Sequence, residues 1–297
     1  MTKLTGQVAL VAGGTRGAGR GIAIALGELG ATVYVTGRSS RTAGRSPMDR
    51  PETIEETAEL VTVAGGVGIP VRTDHSDHAS VAALAARVKD EQAGRLDILV
   101  NDVWGGDPMV DWEHPFWEQD LATGIGLLRQ ALETHIITSH HLVPLMVARG
   151  SGLVVEITDG VEAHYRGSFY YDLAKAGVIR LAVAQAGDLK KHGVTAVAVT
   201  PGFLRSEAML DHFGVTEANW RDGVAKDKDF IASETPLFVG RAVASLATDP
   251  DRARFTGQAL SSWGLSDEYP FVDRDGARPH WGRHYATAYP NGFFADD

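Results

Sequence analysis

Val8-Ala9-Leu10-Val11-Ala12-Gly13-Gly14-Thr15-Arg16-Gly17-Ala18-Gly19-Arg20-Gly21 reads as three pieces in succession. Val8 to Val11 is an apolar run of a length suited to a buried parallel strand. From Gly21, small and aliphatic residues begin a helix. Between them stand Gly13, Gly17 and Gly19. Residues without a Cβ permit a tight turn and let a diphosphate approach the backbone, while the free amides and dipole of the following helix favour the anion. A glycine-rich turn alone would mean little. Strand before, helix after and a place near the start of the chain predict a dinucleotide site.

The rest of the chain repeats the strand–helix alternation. Strands are expected at residues 32–36, 67–71, 96–100, 153–158, 194–200 and 258–261. Helices are expected at 51–64, 80–93, 118–149 with a possible break near Thr123-Gly124, 168–191 and 234–248. Repeated βα units imply an α/β, Rossmann-type doubly wound parallel sheet of about seven strands with helices on both faces. Ligands in such sheets lie beyond the carboxyl ends of the strands, so the residues that matter should follow strands.

Composition narrows the function. The chain has 297 residues, enough for one large domain, and no internal repeat or linker divides it. A net charge of −10 argues against a general nucleic-acid binder. With no cysteine, disulfides and thiol catalysis are excluded, which fits a cytoplasmic protein. No apolar run approaches the ~20 residues of a membrane span, and the first strand follows Met1 too soon for a signal peptide. No His or acid cluster has metal-ligand spacing.

The second strand discriminates between coenzymes. Thr36-Gly37-Arg38-Ser39-Ser40-Arg41 offers no carboxylate for a ribose 2′-hydroxyl. Arg38 and Ser39 suit a 2′-phosphate, and Arg16 in the glycine turn can reach it, so NADP(H) is the expected coenzyme.

Tyr171-Asp172-Leu173-Ala174-Lys175 places a phenol and an ammonium one helical turn apart. The ammonium stabilises tyrosinate, making Tyr171 a usable general acid or base. Together these motifs, over residues 4 to 264, resemble the short-chain dehydrogenase/reductase family. The turn from Gly13 to Gly19, with Thr15, Arg16 and Ala18, resembles its coenzyme fingerprint. Asp74-His75 resembles its adenine-contacting position, and Asn101 opens its Asn-Asn-Ala-Gly element. Tyr171 and Lys175 match its catalytic pair, and Pro201-Gly202 with Ser206 matches its nicotinamide-holding segment. The resemblance implies NADP(H)-dependent hydride transfer between nicotinamide and a carbonyl or alcohol carbon. Tyr171 would be the acid/base, with Lys175 on the ribose. It also implies a homodimer or homotetramer through the helices near 118–149 and 168–191.

Departures from the family pattern are as informative. Its opening Thr is Ala12, and Asp102-Val103-Trp104 replaces the element that Thr braces. Asp159 stands at the catalytic serine position, with Thr158 beside it. Near Ala131, where an Asn should support a water relay, there is none; His135, four residues on, is a candidate substitute. An ionised Asp159 can only accept hydrogen bonds and would oppose tyrosinate. Three arrangements are open: Asp159 protonated and donating, Asp159 facing a cationic substrate or imine, or Thr158 replacing serine while Asp159 points away. Trp104, His164, Tyr165 and Phe203 are expected at a small, apolar or aromatic substrate, with a lid over residues 203–230. Glu217, Asp222, Lys226, Asp227, Lys228 and Asp229 read as a solvated face of that lid. The extension 265–297, rich in aromatics, is expected to dock on this subunit or a neighbour. Reduction of an imine or activated C=C bond, and a catalytically impaired NADP-binding sensor, are the alternatives.

Overall fold

β1 (Val8–Ala12) runs parallel to β2 (Thr32–Gly37) on one side and to β4 (Ile98–Asn101) on the other. The order reverses between β1 and β4, and the carboxyl ends of these strands open the crevice where ligands bind. With β3 (Val67–Arg72), β5 (Gly152–Ile157), β6 (Val194–Thr200) and β7 (Ala259–Ser261), the sheet is wholly parallel in the order β3-β2-β1-β4-β5-β6-β7. This is the computed structural model of the chain, and it describes residues 3–45, 48–161 and 165–290.

Strand periodicity sends alternate side chains to two cores. Ala9, Val11, Ile98, Val100, Leu153 and Val155 face the helices α1 (Gly17–Glu28) and α2 (Ile54–Val63). Val8, Leu10, Leu99 and Val154 face the opposite layer, which includes α3 (His78–Glu91). That layer continues through α4 (Leu121–Leu128), α5 (Thr134–Arg149) and α6 (Phe169–Leu189). Then come α7 (Glu207–Phe213), α8 (Pro236–Thr248), α9 (Ser262–Glu268) and α10 (Trp281–Ala288). α8 packs on α1 so closely that a Cβ on Gly21 would lie 1.9 Å from the Pro236 carbonyl oxygen.

Element boundaries differ from the expected ones where capping decides them. α2 begins at Ile54 because Thr53 accepts the Glu56 amide. α3 begins at His78 under the Asp77 carboxylate. The long helix does not break at Thr123-Gly124; Asp120 caps α4 by accepting the Thr123 amide at 2.7 Å. Its irregularity is a π-helical turn at Arg129–Glu133, between α4 and α5, where Thr134 Oγ1 donates to the Gln130 carbonyl at 2.7 Å. α9 runs across residue 264, and its Leu265 is part of the core. Among the described residues no helix is long and apolar enough to cross a membrane.

Candidate active site

The glycine turn is held by β2, whose Thr36 carbonyl accepts the amides of Gly13 and Gly14, both at 3.0 Å. Gly13 has φ +84°, and a Cβ there would lie 2.3 Å from the Asp102 carbonyl oxygen. No other residue fits. With no hydroxyl at Ala12, β1 and β4 are tied by other atoms: the Asp102 amide donates to the Ala12 carbonyl at 2.9 Å, and the Asp102 carboxyl accepts the Gly19 amide. Burial pushes Asp102 up to about 7, against Lys175, the Gly19 amide and His135, which favour its charge.

One cavity of about 1580 Å³ opens over these strand ends. Gly13, Thr15, Arg16, Gly17 and Ala18 line it, as do Arg38, Ser39, Asp74 and His75. Trp104, Asp159, Tyr165, Tyr171 and Lys175 form its middle; Pro201, Gly202, Phe203 and Ser206 form a further wall. Gly19 and Asn101 stand behind it. Asn101 is buried, its Nδ2 donating to Ser139 Oγ at 2.9 Å and Glu156 Oε1 at 2.8 Å. His164 lies outside the described residues.

At one end, Arg16 and Arg38 share a neighbourhood. Arg16 Nη2 lies 2.9 Å from Met48 Sδ, and a Cβ on Gly105 would touch both Met48 and Arg38. Among the described residues Arg16 Nη1 is buried with no hydrogen-bond partner, and Glu52 stands 3.9 Å from it. A guanidinium left with a thioether, a weak acceptor, fits a site for a strong oxyanion. Asp74 stays ionised despite burial, since Ser76 donates twice to its carboxylate and Arg38 stands close. The His75 ring is wedged between Thr36 Oγ1 (2.8 Å) and Thr138 Oγ1 (2.7 Å). Burial drops its pKa to about 3, so it is a neutral brace under the cavity.

An anion already stands at the N-terminus of α1. Glu207, on α7, accepts the Gly17 amide at 2.8 Å and lies 3.5 Å from Arg20. Ser206 caps α7 by accepting the Met209 amide.

In the catalytic centre, the Tyr171 hydroxyl donates to Asp159 Oδ2 at 2.8 Å. Asp159 therefore faces the site. The Thr158 hydroxyl proton is directed away from Tyr171, donating to the Lys175 main-chain carbonyl at 2.8 Å. Lys175 Nζ sits over the Trp104 ring, 3.9 Å from its centroid. Contrary to the expectation of an activated phenol, Tyr171 is held well above its ordinary range, first by burial, then by the Asp159 charge and hydrogen bond. Burial lowers Lys175 in turn, opposed by Asp159 and Asp102. Sequence reading missed Arg166, which is buried and ties the loop together: its Nε donates to the Asp159 carbonyl (2.7 Å) and its Nη1 to Asp172 (2.8 Å).

Ala131 falls inside the π-helical turn, buried and without a polar side chain. His135 does not reach Tyr171 or Lys175. Its Nδ1 meets Glu156 Oε2 at 2.7 Å and its Nε2 meets the Val103 carbonyl at 3.1 Å. It holds the segment that carries Trp104.

The extension closes the far wall. Trp281 of α10 packs edge-on against Phe203, with centroids 5.9 Å apart, and Tyr285 and Tyr289 line the same cavity. Asp229 is not on a solvated face: it is buried and takes hydrogen bonds from His284 (2.8 Å) and from the Tyr289 hydroxyl. Asp222, Lys226 and Lys228 are exposed, as expected of that face, with Lys226 donating to the Phe213 carbonyl at 2.8 Å, and the partly exposed Glu217 pairs with Arg205 at 3.0 Å. Phe293 and Phe294 lie outside the described residues.

A family model described as short chain dehydrogenase matches residues 7–213. The human protein named dehydrogenase/reductase SDR family member 1 is 34% identical over 277 residues, covering 92% of this chain and 85% of that protein. The crystal structure of a short-chain dehydrogenase from Mycobacterium thermoresistibile superposes with a TM-score of 0.76 at 22% identity, covering 94% of this chain and 92% of that one. A metagenomic short-chain oxidoreductase solved in complex with NADP gives 0.64 at 25% identity, with 84% and 94% covered.

Proposed function

The chain belongs to the short-chain dehydrogenase family and is an oxidoreductase of that family; from that premise we propose that it is NADP(H)-dependent, with Tyr171 as general acid and base. When bound, the coenzyme supplies or accepts a hydride at the substrate carbon. Arg16 and Arg38 hold the 2′-phosphate, Ser39 adds a hydroxyl, and the turn from Gly13 to Gly19 receives the diphosphate. Lys175 holds the ribose and Ser206 the nicotinamide. Tyr171 passes its proton to, or takes it from, the substrate oxygen. The substrate is small and apolar or aromatic, held among Trp104, Tyr165 and Phe203.

The observation that carries the coenzyme reading is the buried Arg16 Nη1, without a hydrogen-bond partner among the described residues, in the neighbourhood of Arg38. Equilibrium titration tests it. Arg38→Ala and Arg16→Ala should each weaken NADPH by roughly tenfold or more and leave NADH nearly unchanged. Equal losses for both coenzymes would refute the reading.

One observation favours an impaired, coenzyme-binding sensor: the Tyr171 proton is directed at Asp159. Tight NADPH binding with no oxidation across carbonyl, imine and activated-alkene panels would establish that alternative.

Trp117, Leu121 and Ile125 are exposed along α4 and the segment before it, with Ile136 on α5 and Leu173 on α6. Exposed large apolar side chains gathered on these helices suit an interface. A homodimer or homotetramer through the helices near 118–149 and 168–191 would cover it.

A further inference from the structure

The Tyr171 hydroxyl is surrounded unevenly. Asp159 Oδ2 takes its proton at 2.8 Å, and no other acceptor is in hydrogen-bond contact with it among the described residues. Asp107 stands close enough to add to the negative field at the phenol, and its Oδ1 is held by Trp104 Nε1 at 2.6 Å. On the positive side, Arg166 opposes them while paired with Asp172 at 2.8 Å, and Lys175 Nζ lies on the face of Trp104. Among the described residues, Asp159 is the charged group in hydrogen-bond contact with the reacting hydroxyl. Trp112 completes the surroundings, its ring 5.1 Å from that of Tyr171 and carrying no cation of its own among the described residues.

A carbonyl substrate meets this arrangement badly. To protonate a developing alkoxide, Tyr171 must turn its proton away from Asp159. That leaves a tyrosinate beside a carboxylate with no proton between them, two like charges in a half-buried site. An iminium substrate makes no such demand. Hydride added to its carbon forms the new C–H bond, the C=N π pair becomes the nitrogen lone pair, and the reduced nicotinamide is oxidised. No proton moves in that step. The positive charge is on the substrate before transfer and on the nicotinamide after it, so the carboxylates face one cation throughout.

We propose that the substrate of this site is an organic cation, an iminium ion with its amine as product, seated between the Asp159 carboxylate and the ring of Trp112. The inference rests on the NADPH-dependent redox reading above and names its substrate class, an iminium carbon taking the place of the carbonyl so that the proton transfer from Tyr171 is not used. Asp159 supplies charge recognition and Trp112 a π face; an ammonium or iminium nitrogen over an indole is attracted by the ring quadrupole.

Two probes of matched shape test it: 2-methyl-3,4-dihydroisoquinolinium and neutral 1-tetralone, assayed with NADPH on the full chain. The cation should be reduced with a kcat/KM at least about tenfold higher. In parallel, calorimetry without coenzyme measures the unreactive 2,2-dimethyl-1,2,3,4-tetrahydroisoquinolinium against 1-tetralone. The cation should bind about tenfold tighter, and the preference should vanish in Asp159→Asn while 1-tetralone binding stays within about threefold. Trp112→Ala should weaken the cation selectively, so a misfolded Asp159 variant does not decide the matter. Reduction of 1-tetralone with no preference for the cation would overturn the inference and leave the redox reading standing. Tight cation binding without NADPH consumption on either probe would uphold charge recognition and sink the redox reading.

Discussion

The Tyr171 hydroxyl and the Asp159 carboxylate form one hydrogen-bonded pair, phenol to Oδ2, across 2.8 Å. The pair sets the protonation chemistry of the site. Asp159 raises the phenol through its charge and through the bond, on top of burial. In Asp159→Ser both contributions go, leaving burial and the Asp107 charge opposed by Arg166. The basic limb of the pH–rate profile for a ketone should move to lower pH by at least about one unit, with ketone turnover rising roughly tenfold. An unchanged profile would mean that Asp159 does not tune Tyr171.

A second carboxylate acts on the coenzyme. Glu207 accepts the Gly17 amide at 2.8 Å, at the N-terminus of α1 where a diphosphate is best stabilised. Coenzyme must displace this carboxylate or bind beside its charge. Glu207→Gln keeps the side-chain length and removes the charge, so NADPH and NADH should both bind about three- to tenfold tighter, with coenzyme preference unaltered. A weaker or unchanged Kd in a fluorescence titration would show that Glu207 lies outside the diphosphate path.

Local signals are the ones the sequence displays. The turn from Gly13 to Gly19 is legible because its glycines sit between an apolar strand and a helix. Tyr171 and Lys175 are legible because they lie four residues apart on one helix. Asp159 is legible as a departure, but its direction is not: two neighbouring side chains, Thr158 and Asp159, compete for the site, and only the bonds from Tyr171 to Asp159 and from Thr158 to the Lys175 carbonyl tell them apart. Long-range partners leave no local trace. Glu207 meets Gly17 across 190 residues of chain, and Asp229 meets Tyr289 across 60. Among the charges at 226–229, nothing marks the one that will be buried under a helix more than fifty residues later.

That buried charge gives a third prediction. Asp229 is gripped by His284 and Tyr289, and the grip holds α10 over the cavity. In Asp229→Ala both side chains lose their partner and the wall formed by Trp281 and Tyr285 loosens. KM for an apolar substrate should rise about three- to tenfold, while coenzyme Kd, set at the other end of the cavity, stays within about twofold. Limited proteolysis should cut first within the extension. If the variant leaves KM and proteolysis unchanged, α10 is held by other contacts.

The brace between β1 and β4 gives the last. Asp102 is buried with its pKa up at about 7, against an ordinary value of 3.8. Between these values the folded protein keeps a proton that the unfolded chain releases. Rising pH therefore favours unfolding by about 1.4 kcal/mol per unit from this group, and the loss levels off above its folded pKa. Asp102→Asn removes the titration, and its side-chain oxygen can still accept the Gly19 amide. The variant should match the wild type near pH 4 and become increasingly more stable than it as pH rises towards 7, the difference then holding constant. Urea denaturation from pH 4 to 8 measures this. A constant offset would mean that Asp102 is charged throughout and already compensated by Lys175 and His135. A difference that shrinks with pH would mean that its folded pKa lies below the unfolded one.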